Sequence, residues 1–148
     1  MKPKKRRNLK ADPSVLPADP TLWSESSKRS YAIGYIQSYQ DIAYTCRGCN
    51  QNLVFTAADQ KRAFEVDQVY IWYRPQLCEA CHHKKQAILA MMNTYEARWK
   101  AQKREVQHDS AFLKEWLKLL IAYAQLGGPR NHSVIAMLHK LTTSSSQP

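Results

Sequence analysis

Glycine is scarce in this chain, with four in 148 residues. None belongs to a glycine-rich loop of the kind that cradles phosphates, and no residue sits in a nucleophile motif. Long apolar runs are missing too. The longest stretch, Leu117 to Leu126, is broken by Lys118 and Gln125. It falls well short of the ~20 residues that cross a bilayer as a helix. An apolar signal segment is also absent: the first ten residues are basic, and Asp12-Pro13-Ser14-Val15-Leu16-Pro17 follows. Internal repeats are lacking as well. These gaps predict a soluble, cytoplasmic chain with no membrane contact, no small-molecule substrate and no enzymatic activity.

Cysteine is equally sparse, and here the spacing is informative. The four cysteines form two pairs, Cys46-Arg47-Gly48-Cys49 and Cys78-Glu79-Ala80-Cys81. Two such turns can supply four thiolates to one tetrahedral Zn2+ and leave no thiol over. A metal closed by four protein ligands has no open position for water or substrate, so such a site is structural. Two disulfides would suit a secreted protein, and one C-x-x-C could be a redox pair. The missing signal segment and the matched pairs favour zinc. His82 and His83 follow Cys81 directly. Either could replace a cysteine as ligand, but two polar residues in the first turns of a helix is the simpler reading.

The formal net charge is +10, and its distribution says more than its sum. Lys2, Lys4, Lys5, Arg6, Arg7 and Lys10 meet no acid in the first ten residues. Residues 84–104 carry six basic groups and one acidic group, whereas residues 41–83 carry four basic and five acidic. The cysteine segment itself is therefore not basic. A +6 segment attracts phosphates without sequence preference.

Along the chain, residues 1–22 read as a basic, proline-containing flexible tail, with Pro13, Pro17 and Pro20 keeping it extended. Tyr31, Ile33 and Tyr35 alternate with smaller residues, a strand signal. Tyr44 and Thr45 enter a knuckle in which Gly48 and Asn50 tolerate positive φ most cheaply. Leu53-Val54-Phe55 predicts a strand, and Thr56 a helix cap with Phe64 inward. Val69 to Tyr73 is rich in β-branched and aromatic residues and predicts another strand. Glu79 to about Arg104 lacks Gly and Pro and carries one stripe, Ile88, Met92, Tyr95 and Trp99. Asp109 or Ser110 caps the next helix, whose buried side is Phe112, Leu113, Trp116, Leu117, Leu120 and Tyr123. The short linker predicts that the two stripes face each other, with Trp99 and Trp116 largely buried. Gly127-Gly128-Pro129 stops that helix. Val134, Ile135, Leu138 and Leu141 mark a last one, before a serine-rich end.

A first C-x-x-C on a knuckle, then a hairpin, then a second C-x-x-C opening a helix is the order of a treble-clef zinc finger. The segment also resembles a family of probable zinc-ribbon domains of treble-clef type found in small bacterial proteins. The resemblance rests on Asp41-Ile42-Ala43-Tyr44-Thr45-Cys46-Arg47-Gly48-Cys49, Phe55-Thr56-Ala57-Ala58-Asp59-Gln60 and Arg74-Pro75-Gln76-Leu77-Cys78-Glu79-Ala80-Cys81. It covers about residues 41–83, with Asn50 where a glycine is usual and a longer stretch before Arg74. It implies zinc binding and a bacterial setting, and no established activity.

The expected fold is thus α+β: a small treble-clef zinc finger with four cysteine ligands, followed by a bundle of two or three helices. The expected segments are a tail at 1–22, a zinc module at 23–83, a helical region at 84–141 and a flexible end at 142–148. Asp41, Asp59, Glu65 and Asp67 could pair as acid and base, yet nothing places them together, and helix caps or solvated surface explain them. The leading function is nonspecific association with DNA or RNA through the basic tail. Tyr70, Trp72, Tyr73 and Arg74 interleave aromatic and basic groups as a stacking platform, against ordinary hairpin packing. The alternative is a protein–protein adaptor that uses the finger and the helical hairpin, with Trp99, Trp116 and Tyr123 as an exposed face.

Overall fold

A computed structural model describes residues 14–144. The basic candidates Lys2, Lys4, Lys5, Arg6, Arg7 and Lys10 lie outside the described residues, as do residues 145–148. The described chain is α+β, with two small antiparallel sheets and several helices. It divides into two compact units. Unit 1 comprises residues 14–44 and Asn52–Pro75, and unit 2 comprises Thr45–Gln51 and residues 76–144.

Unit 1 opens with β1 (Val15–Pro17), which pairs antiparallel with β2 (Ser38–Gln40), Leu16 standing opposite Tyr39. Between them run a 3-10 turn at Pro20–Leu22, the short helix α1 (Glu25–Lys28) and a second 3-10 turn at Tyr31–Gly34. β3 (Ile42–Thr45) and β4 (Asn52–Phe55) form the second sheet. Thr56 then caps α2 (Ala57–Lys61), its Oγ1 accepting from the Asp59 N–H at 3.1 Å. A π-helical turn over Arg62–Val66 follows and turns Phe64 into the core beside Trp23, Tyr39, Phe55 and Ile71.

A polar chain runs through this core. The Trp23 indole donates to the Tyr39 hydroxyl at 2.8 Å, and that hydroxyl donates to Glu65 Oε1 at 3.0 Å. Glu65 also accepts from the Asp19 backbone N–H at 2.7 Å and pairs with Lys61 at 2.9 Å. A buried carboxylate needs such partners, since leaving a buried polar group unpaired costs about 1–3 kcal/mol. Burial pushes the Tyr39 phenol above its ordinary value, and the accepting Glu65 adds to the shift against the opposing indole N–H.

Three expectations fail in this unit. Residues 15–22 are not a free tail: β1 and the first 3-10 turn occupy them, because β2 supplies a partner edge. Residues 31–35 are not a strand. Ser30 caps a turn that buries Ala32 and leaves Tyr31 and Tyr35 both 77% exposed. Nor is Val69–Tyr73 a strand, since among the described residues no neighbouring strand pairs with it. Instead the Tyr73 N–H closes a turn on the Tyr70 carbonyl, and the Ile71 N–H donates to Ser27 Oγ at 3.0 Å. Strand propensity yields to whichever partner the backbone finds.

Unit 2 holds the knuckle and three helices: α3 (Glu79–Val106), α4 (Ser110–Gln125) and α5 (His132–Ser144). Asp109 caps α4, its Oδ1 accepting from the Phe112 N–H at 3.0 Å. The expected stripes do meet: Tyr95 stacks on Phe112 with centroids 4.9 Å apart, and Trp99 lies 5.6 Å from Trp116. Trp116 is buried, whereas Met92, Tyr95, Trp99 and Leu117 are half-buried around it. Tyr123 is likewise only half-buried, so the seam is more open than the stripes predicted. Ile135 and Leu138 of α5 complete this core. α4 ends on Gly127 at φ 84°, with the Gly127 N–H on the Ala124 carbonyl and the Gly128 N–H on the Tyr123 carbonyl. That double closure satisfies two carbonyls the helix would otherwise leave open.

The expected boundary at residues 83 and 84 falls inside α3, which runs from the second cysteine pair into the bundle and kinks at Gln102 (φ -131°, ψ 34°). The zinc module as drawn is thus split, the knuckle going with the helices. The C-terminal boundary at 142 also shifts, since α5 continues to Ser144 with Thr142 donating back to the Leu138 carbonyl. Among the described residues, no helix is long and apolar enough to cross a membrane.

Candidate metal centre

Four sulfurs converge in unit 2. The Sγ atoms of Cys46, Cys49, Cys78 and Cys81 all lie within 4.8 Å of one another. The knuckle builds the first half. The Cys46 N–H bonds the Gln51 carbonyl at 2.8 Å, and the Asn50 N–H returns to the Cys46 carbonyl at 2.8 Å. Asn50 takes φ 61°, as the knuckle requires. Gly48, also expected at positive φ, is needed for a different reason. A Cβ there would stand 2.7 Å from the Cys81 sulfur and 2.9 Å from a Leu126 methyl. The glycine lets the knuckle lie directly against the second cysteine pair.

The start of α3 builds the second half. Cys78 is the N-cap, its sulfur accepting from the Cys81 N–H at 3.4 Å, as a serine or aspartate cap would. The Cys78 N–H donates to Cys46 Sγ at 3.2 Å, and the Arg47 N–H bonds the Gln76 carbonyl at 2.8 Å. Backbone bonds therefore tie the two pairs together.

These contacts divide the thiols. The Cys78 backbone N–H, helped by those of Cys49 and Gly48, holds the Cys46 thiol down to about 6. The Cys78 sulfur and burial push Cys81 up to about 12. Cys49 is raised too: the Gln51 N–H favours its thiolate, but burial and the Cys46 and Cys78 sulfurs outweigh that bond. Cys46 thus forms a thiolate readily, while Cys49 and Cys81 resist joining it. A bound dication would favour the thiolate form at all four positions.

The donor set fits a tetrahedral metal. With metal–sulfur bonds of ~2.3 Å, a tetrahedron has edges of about 3.8 Å, and Cys49 Sγ to Cys78 Sγ is 3.8 Å. A disulfide would need ~2.05 Å, and all four cysteines are free. His82 and His83 are both exposed and outside the sulfur cluster, with His82 Nε2 3.0 Å from Gln86 Nε2.

Knuckle, β-hairpin and a helix that starts at the second cysteine pair define a treble clef with a four-cysteine metal site. Residues 40–89 match the family model of a probable treble clef domain, 50 of the chain's 148 residues. No curated protein and no solved structure matches the chain.

Trp72, Arg74 and the acidic candidates Asp41, Asp59, Glu65 and Asp67 lie in unit 1. Trp72 is half-buried, its ring 5.1 Å from that of Tyr31. Arg74 is exposed and folds back, donating to the carbonyls of Tyr73 at 2.7 Å and Ile71 at 3.2 Å. Trp72 thus packs as part of a turn rather than on the hairpin the sequence suggested. The acidic residues are not brought together as a pair. Asp41 accepts from the Ala57 N–H at 2.8 Å as a helix cap, Asp67 sits 3.9 Å from Arg62, and Glu65 is in the core chain described above. Sequence reading missed Leu126, which covers Gly48. Only the fold brings that residue to the knuckle.

Proposed function

We propose that this is a structural zinc protein that associates with nucleic acid through its charge rather than by reading bases. Zinc is the metal this thiolate set suits best, since four sulfurs at tetrahedral spacing fill its coordination and leave no site for water. Zinc held there cross-links the knuckle to the start of α3, and the reading assigns it no catalysis. Four reduced thiols suit a reducing compartment, consistent with a cytoplasmic, bacterial setting.

The observation that carries the reading is the partition of charge. The described part of unit 1 has five basic and six acidic residues, while the described part of unit 2 has eleven basic and five acidic. Residues 1–10 add six basic groups and no acid. Phosphate contacts depend on such charge and weaken steeply with salt. In an oligonucleotide-binding titration, affinity is expected to fall by orders of magnitude from low to moderate salt. Deleting residues 1–10 is expected to weaken binding and flatten that dependence. Salt-independent binding would overturn the reading.

A second reading, a protein–protein adaptor, draws on Tyr31, Ile33 and Tyr35, which stand 77%, 50% and 77% exposed on one turn of unit 1. Exposed apolar groups of this kind mark interaction surfaces. Partner capture that survives both nuclease and salt would favour it.

A further inference from the structure

Within unit 2, two open hollows meet along α4. One, of about 500 Å³, is lined by Arg47, Gly48, Lys84, Ala122, Gln125 and Leu126. The other, of about 430 Å³, adds Lys114, Leu117, Lys118 and Ile121 and shares Ala122 and Gln125 as walls. The two thus adjoin along one helix, and four cations border them. Arg47, Lys84, Lys114 and Lys118 are all exposed. Among the described residues, no carboxylate lines either hollow or pairs with any of the four.

Lys28, Lys61 and Lys100 each sit on a carboxylate within 3.1 Å, whereas exposed Lys103 and Lys140 pair with none but line neither hollow. Cations left unpaired along a groove are repelled by one another and lack local compensation. Arg47 brings a planar fork suited to bidentate phosphate contact, and the lysines bring point charges. Gln125 supplies a neutral donor at the junction. The walls between, Leu117, Ile121 and Ala122, offer no aromatic face for stacking a base. The surface therefore suits a phosphodiester backbone and not base readout.

A different cause must be weighed for part of it. A zinc–tetrathiolate centre carries net negative charge, and Arg47 and Lys84 flank the ligands in sequence. Those two could serve only to offset the centre. Lys114 and Lys118 are not open to that account, since they lie on α4 in the middle of the helix, away from both cysteine pairs in sequence.

We infer that Arg47, Lys84, Lys118 and Lys114 form a phosphate track across unit 2, which a nucleic-acid backbone follows. This rests on the nucleic-acid reading above and places contacts that do not depend on residues 1–10.

The test uses the full-length, zinc-loaded chain and fluorescence anisotropy with one labelled single-stranded oligonucleotide and its duplex. Two double variants, K114Q/K118Q and R47Q/K84Q, remove two charges each while keeping length and helix propensity. R29Q/R62Q removes two exposed charges from unit 1 as a control. Each track variant is expected to lower affinity roughly tenfold and to reduce the salt slope by about 2, one per lost phosphate contact. The control is expected to change affinity less than about twofold. Zinc content is measured for every variant. Loss of zinc in R47Q/K84Q, with K114Q/K118Q binding as wild type, would overturn the track and assign Arg47 and Lys84 to the metal. Wild-type binding by both track variants, with binding lost on deletion of residues 1–10, would overturn the track and leave the nucleic-acid reading standing. No binding of either oligonucleotide by the wild-type chain at low salt would overturn both.

Discussion

Trp23 in unit 1 is fully buried, and its indole N–H is satisfied inside the core by Tyr39. Trp99 in unit 2 keeps part of its ring in solvent, packed on Trp116 and with the Lys103 ammonium 5.5 Å from its centroid. The same contrast runs through both units. The first closes around a carboxylate that collects partners from three separate segments. The second gathers its chain at one end on four sulfurs and along its length on an aromatic seam. A small core can be held by a polar network or by a metal, and this chain uses one in each half. The charges divide the same way. The polar-network unit is near neutral, and the metal unit is basic.

Metal removal should separate the halves most sharply. Structural zinc contributes on the order of 10 kcal/mol to small finger domains. Chelation, or Cys46→Ser, is expected to strip amide protection from residues 45–51 and the first turns of α3. Trp23 and its neighbours in unit 1 should stay protected. Hydrogen exchange reads both at once, and an even loss across the two units would erase the contrast.

Within the metal unit, Trp116→Ala is expected to cost about 3–5 kcal/mol in urea unfolding, the range for emptying a buried aromatic site. Trp99→Ala should cost clearly less, because part of its ring is already wet. Equal costs would mean that the seam is as closed as the core of unit 1.

For unit 1, Tyr39→Phe leaves the Trp23 N–H without its acceptor and Glu65 without one donor. A cost of about 1–3 kcal/mol is expected. The pH dependence has a definite direction. The folded protein holds the Tyr39 proton more tightly than the unfolded chain, whose value is near 10.0. Stability from this group is therefore complete below pH 10 and declines as pH rises above it. Denaturation at rising alkaline pH should show that decline in the wild type and not in Tyr39→Phe.

The smallest expected effect is Gly127→Ala. At φ 84° an alanine is strained by about 1–2 kcal/mol. Thermal unfolding measures it, and the loss should fall on the helical unit alone.

Much of this arrangement was legible in the residues. The cysteine spacing, the Asn50 turn, the Thr56 and Asp109 caps and the facing stripes of α3 and α4 are all local patterns, and these survive into the fold. What failed was non-local. Nothing near Val15 announces its pairing with Gln40. Tyr31 and Tyr35 alternate like a strand, but a strand needs an edge to join, and Ser30 offered a turn instead. Val69 to Tyr73 has strand composition and found a serine hydroxyl. The metal ligands were readable because their chemistry is written in pairs. Leu126 over Gly48 was not, because its contact exists only once α4 has packed.

Unit 1 is interrupted. Its chain departs after Tyr44, returns at Asn52 and is complete at Pro75, before the second cysteine pair begins. A ribosome adding about 5–20 residues per second therefore delivers every residue of unit 1 while the knuckle still waits for its other half. Cys81 follows Pro75 by six residues, so for about a second or less Cys46 and Cys49 are an open dithiol while every residue of unit 1 already exists. The order of synthesis thus presents two of the four sulfurs before the pair that completes the site exists.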